Sequence, residues 1–193
     1  MNKIPVYPIA FEVSGPLAMF SDPASGSDSI SYPLPPPTAC VGMIESVCRT
    51  RDVSVEIVAV ASTSPPTWSD FTYNSFSPER KTDLIKQDLA CQIKETVLEF
   101  STFQILALLT NSKRIERINN AHSMQEQFFR RLERGQNFNQ VNLGRREFLA
   151  TYCGHIKTDW SKNKKYSLKI PSMIVKIFEK DQIKVQAKQN LQI

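Results

Sequence analysis

Glycine is scarce in this chain: six residues in 193. A glycine loop able to cradle phosphate has almost no material, and neither GxxxxGK[ST] nor GxGxxG occurs; the GxSxG elbow and the HExxH pair are missing as well. There are only two histidines, and the four cysteines (Cys40, Cys48, Cys91, Cys153) form no CxxC pair, which argues against a structural zinc site. Cys40 and Cys48 fall among apolar residues of an expected helix and read as reduced core thiols. The carboxylates are scattered, so metal-dependent nuclease chemistry lacks its cluster of ligands; no metal or other cofactor is expected. No apolar run approaches the roughly 20 residues needed to span a bilayer. Met1-Asn2-Lys3-Ile4-Pro5 lacks the apolar stretch of a signal peptide. The expectation is a cytoplasmic protein with no membrane partner.

What the chain does have is an uneven charge. Residues 1–100 carry 7 Lys/Arg against 12 Asp/Glu, and residues 101–193 carry 17 against 7, so a net of −5 is followed by a net of +10. Within the second half Lys113, Arg114, Arg117, Arg130, Arg131, Arg134, Arg145 and Arg146 share one window with few acids. Arginine's planar fork fits phosphate oxygens better than a lysine ammonium. A polyanion, above all nucleic acid, is the partner that such a footprint fits; a solvated helix face is the plainer explanation.

The apolar patterning gives an α+β chain. Ile4–Val13 reads as a strand ended by Gly15-Pro16. Ser21–Pro37 is a loop, after which Val41, Ile44, Val47 and Cys48 recur at helical spacing from Thr38. Val53–Ala61 is nearly all β-branched or small and apolar, so a central strand is expected. Strand, helix, strand opens a ferredoxin-like or RNA-recognition-motif-like fold with an antiparallel sheet. Ser62–Asp83 reads as a long connection holding Trp68, Phe71, Tyr73 and Phe76. One or two strands follow within Ile93–Thr110, then an amphipathic helix over Asn119–Arg134 with His122, Gln125, Phe128, Phe129 and Leu132 on one side. Val141–Tyr152 reads as a strand, and Met173–Phe178 with Ile183–Ala187 as a hairpin turning at Lys180-Asp181. The expected organisation is a ferredoxin-like RNA-binding domain over 1–152 and a small C-terminal β element over 153–193.

Two sets of residues have two readings each. His122 is one of only two imidazoles and lies beside the basic window, so it suits general acid or base chemistry at a ribose 2′-hydroxyl; the reading favoured is a histidine packed on the inner side of its helix. Trp68, Phe71, Tyr73 and Phe76 either stack on unpaired bases or staple the long connection to the core, and base stacking is the lesser reading.

A set of short runs is sharper than these. Phe11-Glu12-Val13-Ser14-Gly15-Pro16-Leu17-Ala18-Met19-Phe20 is followed by Ser31-Tyr32-Pro33-Leu34-Pro35-Pro36-Pro37-Thr38-Ala39 and Val41-Gly42-Met43-Ile44-Glu45. His122, Arg134-Gly135-Gln136 and Leu143-Gly144-Arg145-Arg146-Glu147-Phe148 come later. In this order, from about residue 9 to 150, the runs resemble the CRISPR-associated Cas family five, closest to its type I-C branch. The resemblance implies an RNA-recognition-like fold and a seat at one end of the guide-RNA complex Cascade. There the chain would cap and hold the 5′ handle of the CRISPR RNA, dock a backbone subunit and a large subunit, and meet target DNA through the complex. Some I-C members also cut precursor RNA without metal, using a histidine, the lysine before it and a tyrosine near the end of the first helix. His122 matches that histidine, but the lysine position is Ala121 and the tyrosine region reads Val47-Cys48-Arg49. The expectation is therefore an RNA-binding subunit with no favoured catalytic residue. The alternative is a metal-independent endoribonuclease centred on His122, with Arg49 or Arg117 as candidates for the missing charge.

Overall fold

The computed structural model describes residues 5–25, 28–49, 53–76, 90–111, 120–157, 169–179 and 182–192. Strand β1 (Tyr7–Ala18) leads through a two-residue strand β2 (Ser29–Ile30) to helix α1 (Pro37–Val47), with prolines at 36 and 37 presetting its first turn. Strands β3 (Val53–Ser62), β4 (Thr67–Phe76) and β5 (Ala90–Asn111) follow. Helix α2 (Asn120–Arg134) and the short β6 (Tyr152–Gly154) complete the sheet, and β7 (Lys169–Glu179) pairs with β8 (Gln182–Gln192) as a separate hairpin.

β1 runs antiparallel to β5 from Tyr7↔Leu109 to Ala18↔Leu98 and receives β6 on its other side at Glu12↔Gly154. β3 lies antiparallel along the second half of β5. The spatial order β6-β1-β5-β3, in a chain that runs β-α-β-β-α-β, is ferredoxin-like. The addition to that plan is the first half of β5, which pairs with β4 from Thr67↔Glu99 to Phe76↔Ala90 and takes β2 in parallel at Ser29↔Glu95.

Both helices cover one face. Ile9, Phe11 and Val13 of β1 and Phe103, Ile105, Ala107 and Leu109 of β5 are buried at alternate positions, as a half-covered sheet requires. Against them pack Cys40, Met43, Ile44 and Val47 of α1 and Ala121, Met124, Phe128 and Leu132 of α2. The Phe11 and Phe128 rings meet edge to face at 5.3 Å. Ile170 and Met173 of β7 join the same core, where β7 lies against α1.

Four expectations change. β1 does not stop at Gly15-Pro16: Gly15 still pairs with Ser101 and Leu17 with Glu99. Pro16 is accommodated because Phe100 opposite it leaves the ladder with φ 45°. β3 is not central: among the described residues it pairs with β5 alone, with Val53, Val55 and Ile57 half-buried and Glu56 and Val58 exposed. Its apolar run serves one face, with a bulge at Val58. The long connection is in large part strand β4. Residues 141–150 do not form a strand; they close on themselves through Leu143 N–H to Phe148 O (2.7 Å) and Ala150 N–H to Val141 O (3.0 Å). The hairpin flanks residues 180–181, which lie outside the described residues.

Candidate nucleic-acid interface

Three of the runs that carry the resemblance, Phe11–Phe20, Ser31–Ala39 and Leu143–Phe148, meet in space. Met19 donates its N–H to Leu143 O (2.9 Å), and Tyr32 donates to Phe20 O (2.7 Å). Phe20 N–H reaches Ser31 Oγ (3.0 Å), and that hydroxyl donates to Tyr32 O (2.9 Å). Gly144, at φ 94°, is pressed so closely on this junction that a Cβ there would lie 1.8 Å from Met19 O. A Cβ at Gly15 would meet Leu143 Cδ1 at 2.6 Å. The two glycines are therefore conditions of close approach between β1 and the 141–150 loop. An open cleft of about 330 Å³ lies over the junction, lined by residues that include Phe20, Pro36, Thr38, Ala39 and Arg145.

Arg145 is tied inward. Its Nη1 contacts Glu95 Oε1, a carboxylate on a side chain only 2% exposed. The same guanidinium reaches the Tyr73 hydroxyl, Ser29 Oγ and Ser21 Oγ, each at 3.4 Å. Tyr73 donates to Glu95 (3.3 Å), and Phe71 packs edge to face on Phe148 at 5.4 Å. These two aromatics hold the β4 arm to the 141–150 loop. Trp68 stays partly exposed with Nε1–H directed at Ser31 O (3.5 Å). Nothing is described of the Phe76 side chain, and Lys113, Arg114 and Arg117 lie outside the described residues. Arg146 is exposed.

The remaining arginines converge at the C-terminal ends of the two helices. Arg131 Nη1 donates to Val47 O (2.6 Å), satisfying one of the carbonyls that a helix end leaves open. Arg130 and Arg134 are exposed on the same end of α2. Gly135, at φ 61°, ends α2, with Gln136 N–H returning to Arg131 O (2.9 Å). Asn139 N–H then bonds Ser46 O (2.8 Å), which brings the loop across to α1. Phe138 thereby lies under Arg49, whose guanidinium carbon is 4.3 Å from the ring centroid. Among the described residues the ion pairs are His122–Glu126 and Arg145–Glu95, so Arg49, Arg130 and Arg134 have no acidic partner there. Burial raises the Cys48 thiol pKa, opposed by Arg131 and Arg130. The end of α1 is thus within the field of this arginine cluster.

His122 is not packed inward. Its side chain is 49% exposed, 3.7 Å from Glu126, and its ring lies 5.2 Å from that of Tyr7. The inward stripe is Ala121, Met124, Phe128 and Leu132, one residue out of phase with the stripe expected, because the Phe128-Phe129 pair fits either phase. Ala121 is fully buried and its N–H is capped by Asn111 Oδ1 at 2.8 Å. Arg131, bonded to Val47 at the end of α1, stands nine positions along α2 from His122, about 13.5 Å along the axis. Sequence reasoning missed three neighbours: Tyr7 beside His122, Phe138 under Arg49, and His155, stacked on Phe129 at 5.9 Å. The pairings of Tyr7 with His122 and of Phe129 with His155 have no local signal; an aromatic two residues past a helix-ending Arg-Gly-Gln gave a weak one for Phe138.

Among the described residues no helix is long and apolar enough to cross a membrane, and no group of three or more metal-ligating side chains occurs. No curated protein matches the chain. Three solved structures similar to it each align over 97% of this chain and 89% of their own. One is a CRISPR-associated protein at TM-score 0.72 and 14% identity. Another is a functionally uncharacterized protein, SMU1763c, from Streptococcus mutans, at 0.69 and 14%. The third belongs to a CRISPR RNA-guided surveillance complex, at 0.58 and 12%. At such identities they bear on the fold, and they share the one described above. The family model for CRISPR-associated protein (Cas_Cas5), in its Cas5d form, matches residues 9–164, which span the glycine junction, both helices and the arginine cluster, and the chain belongs to the CRISPR-associated Cas5 family.

Proposed function

We propose that this protein is the guide-RNA-binding subunit of a type I Cascade complex. It caps and holds the 5′ handle of the CRISPR RNA and docks a backbone subunit and a large subunit; target DNA is met through the assembled complex. The observation that carries this reading is the gathering of Arg49, Arg130 and Arg134, without acidic partners among the described residues, at the joined ends of α1 and α2 of a Cas5-family chain. Guanidinium groups there would position the RNA through its phosphates, while splayed bases would supply specificity. Arg146, exposed on a separate loop, is a further phosphate contact; Arg145 and Arg131 act by holding the scaffold. The likeness to a member of a CRISPR RNA-guided surveillance complex agrees with this role. Reconstitution tests it: the chain should enter a ribonucleoprotein with its neighbouring Cas subunits and repeat-derived RNA. The Arg130→Ala/Arg134→Ala variant should enter poorly, and its unimpaired entry would contradict the reading.

The endoribonuclease alternative gains one observation, the exposed His122 beside Tyr7. Cleavage still needs positive charge at the phosphorane together with a proton donor and acceptor, and Ala121 is buried and apolar. The isolated protein is expected to leave a repeat–spacer–repeat transcript intact over minutes, with or without EDTA. EDTA-resistant cutting that disappears in His122→Ala would establish the enzyme instead.

A further inference from the structure

We infer that the Arg49–Phe138 pair is a stacking platform for one unpaired nucleobase, flanked by Arg130 and Arg134 as contacts for the adjoining phosphates. The inference deepens the RNA-binding reading above and rests on it. Phe138 remains 44% exposed and belongs neither to the core nor to the partly buried residues packed against it. Its phenyl ring therefore does little for folding. Yet its backbone is held from both sides: Gln136 N–H to Arg131 O on α2 and Asn139 N–H to Ser46 O on α1. An exposed aromatic fixed in this way is preorganised, so little freedom is lost when a flat ligand settles on it.

The surrounding charge selects the ligand. The Arg49 guanidinium lies over the ring at 4.3 Å, and it is itself a planar surface on which bases stack. Arg130 and Arg134 stand one helical turn apart on α2, about 6 Å in axial rise, close to the spacing of successive phosphates along a strand. A neutral apolar partner would leave three guanidiniums without acidic partners among the described residues, whereas a single strand satisfies ring and cations together. Because every base has a π-face, such a platform tolerates any base.

The experiment uses the full chain and two probes: a single-stranded octauridylate, and the same sugar–phosphate backbone carrying abasic sites. Affinities are read by fluorescence anisotropy, with thermal melts confirming that each variant is folded. Phe138→Ala should weaken octauridylate binding about 5- to 150-fold, the range for loss of one base–aromatic stack, and leave binding to the abasic strand unchanged. Phe138→Trp should restore affinity. Arg130→Ala/Arg134→Ala should weaken both probes alike. If Phe138→Ala binds octauridylate within twofold of the parent while the arginine variant is impaired, the platform is refuted and the RNA-binding reading stands. A Phe138→Ala variant that keeps its RNA affinity but fails to join the other Cas subunits would assign the surface to a protein, which also refutes the platform. If the parent binds neither probe at low salt, both readings fall.

Discussion

Gly144 shows how a single missing Cβ holds two distant runs of sequence together. The backbone there sits at φ 94°, against Met19 O at a distance no side chain permits. Gly144→Ala should therefore cost on the order of 3 kcal/mol or more, from the strained backbone and the displaced contact together. Gly135 is the control: its φ is 61° but nothing lies within 4 Å of a Cβ there. Gly135→Ala should cost only the left-handed penalty, about 1–2 kcal/mol. Urea denaturation of the two variants checks the ranking, and equal losses would contradict the junction. The thiols of buried Cys40 and half-buried Cys153 offer a second test. Burial raises both Cys40 and Cys153, the latter to about 12 from an ordinary 9.0. The folded chain keeps these protons longer than the unfolded chain, so their contribution to stability is intact below pH 9 and is lost as pH rises toward 12. At pH 8 both thiols should resist iodoacetamide in the native protein and label readily in urea, as read by peptide mass mapping.

Among the elements, the β4–β5 arm and the 141–150 loop depend on each other through Arg145 and Glu95. Removing Arg145 leaves a carboxylate that is 2% exposed without its charge partner. The loss expected for Arg145→Ala is about 2–3 kcal/mol, below that of a fully buried pair because the guanidinium is itself 32% exposed. Arg146→Ala should stay within about 0.5 kcal/mol of the parent in stability and lose RNA affinity instead. Two adjacent arginines would then separate into a stability defect and a binding defect, measured by urea melts and RNA titration. The sequence reads both arginines on a strand, Val141–Tyr152, whereas the segment closes on itself as a loop. Sequence reasoning overlooked β4 because Pro65-Pro66 and the polar residues of Thr67–Phe76 resemble a loop, although Thr67, Phe71 and Tyr73 on one period-two face are a strand signal. In α2 the helix itself was legible and its rotation was not. The adjacent Phe128 and Phe129 leave the phase open, and Ala121 is too small to settle it.

For the molecule as a whole, alternation and turn residues were enough to read the strand–helix–strand opening, both helices and the terminal hairpin. The spatial order β6-β1-β5-β3 was not readable, because β6 is three residues long and pairs far along the chain. The basic half was plain in the sequence. Its division into arginines that hold the scaffold (Arg131, Arg145) and arginines left in water (Arg130, Arg134, Arg146), joined by Arg49 from the first half, required the fold. That division gives the central claim its most direct measurement: the affinity of the purified protein for repeat-derived single-stranded RNA as a function of salt. With the four exposed arginines each neutralising a phosphate, log K should fall against log salt with a slope of about −3, at roughly −0.7 per contact. Arg130→Ala/Arg134→Ala should reduce the slope to about −1.4. A salt-independent affinity, or a slope that the double substitution leaves unchanged, would contradict the account.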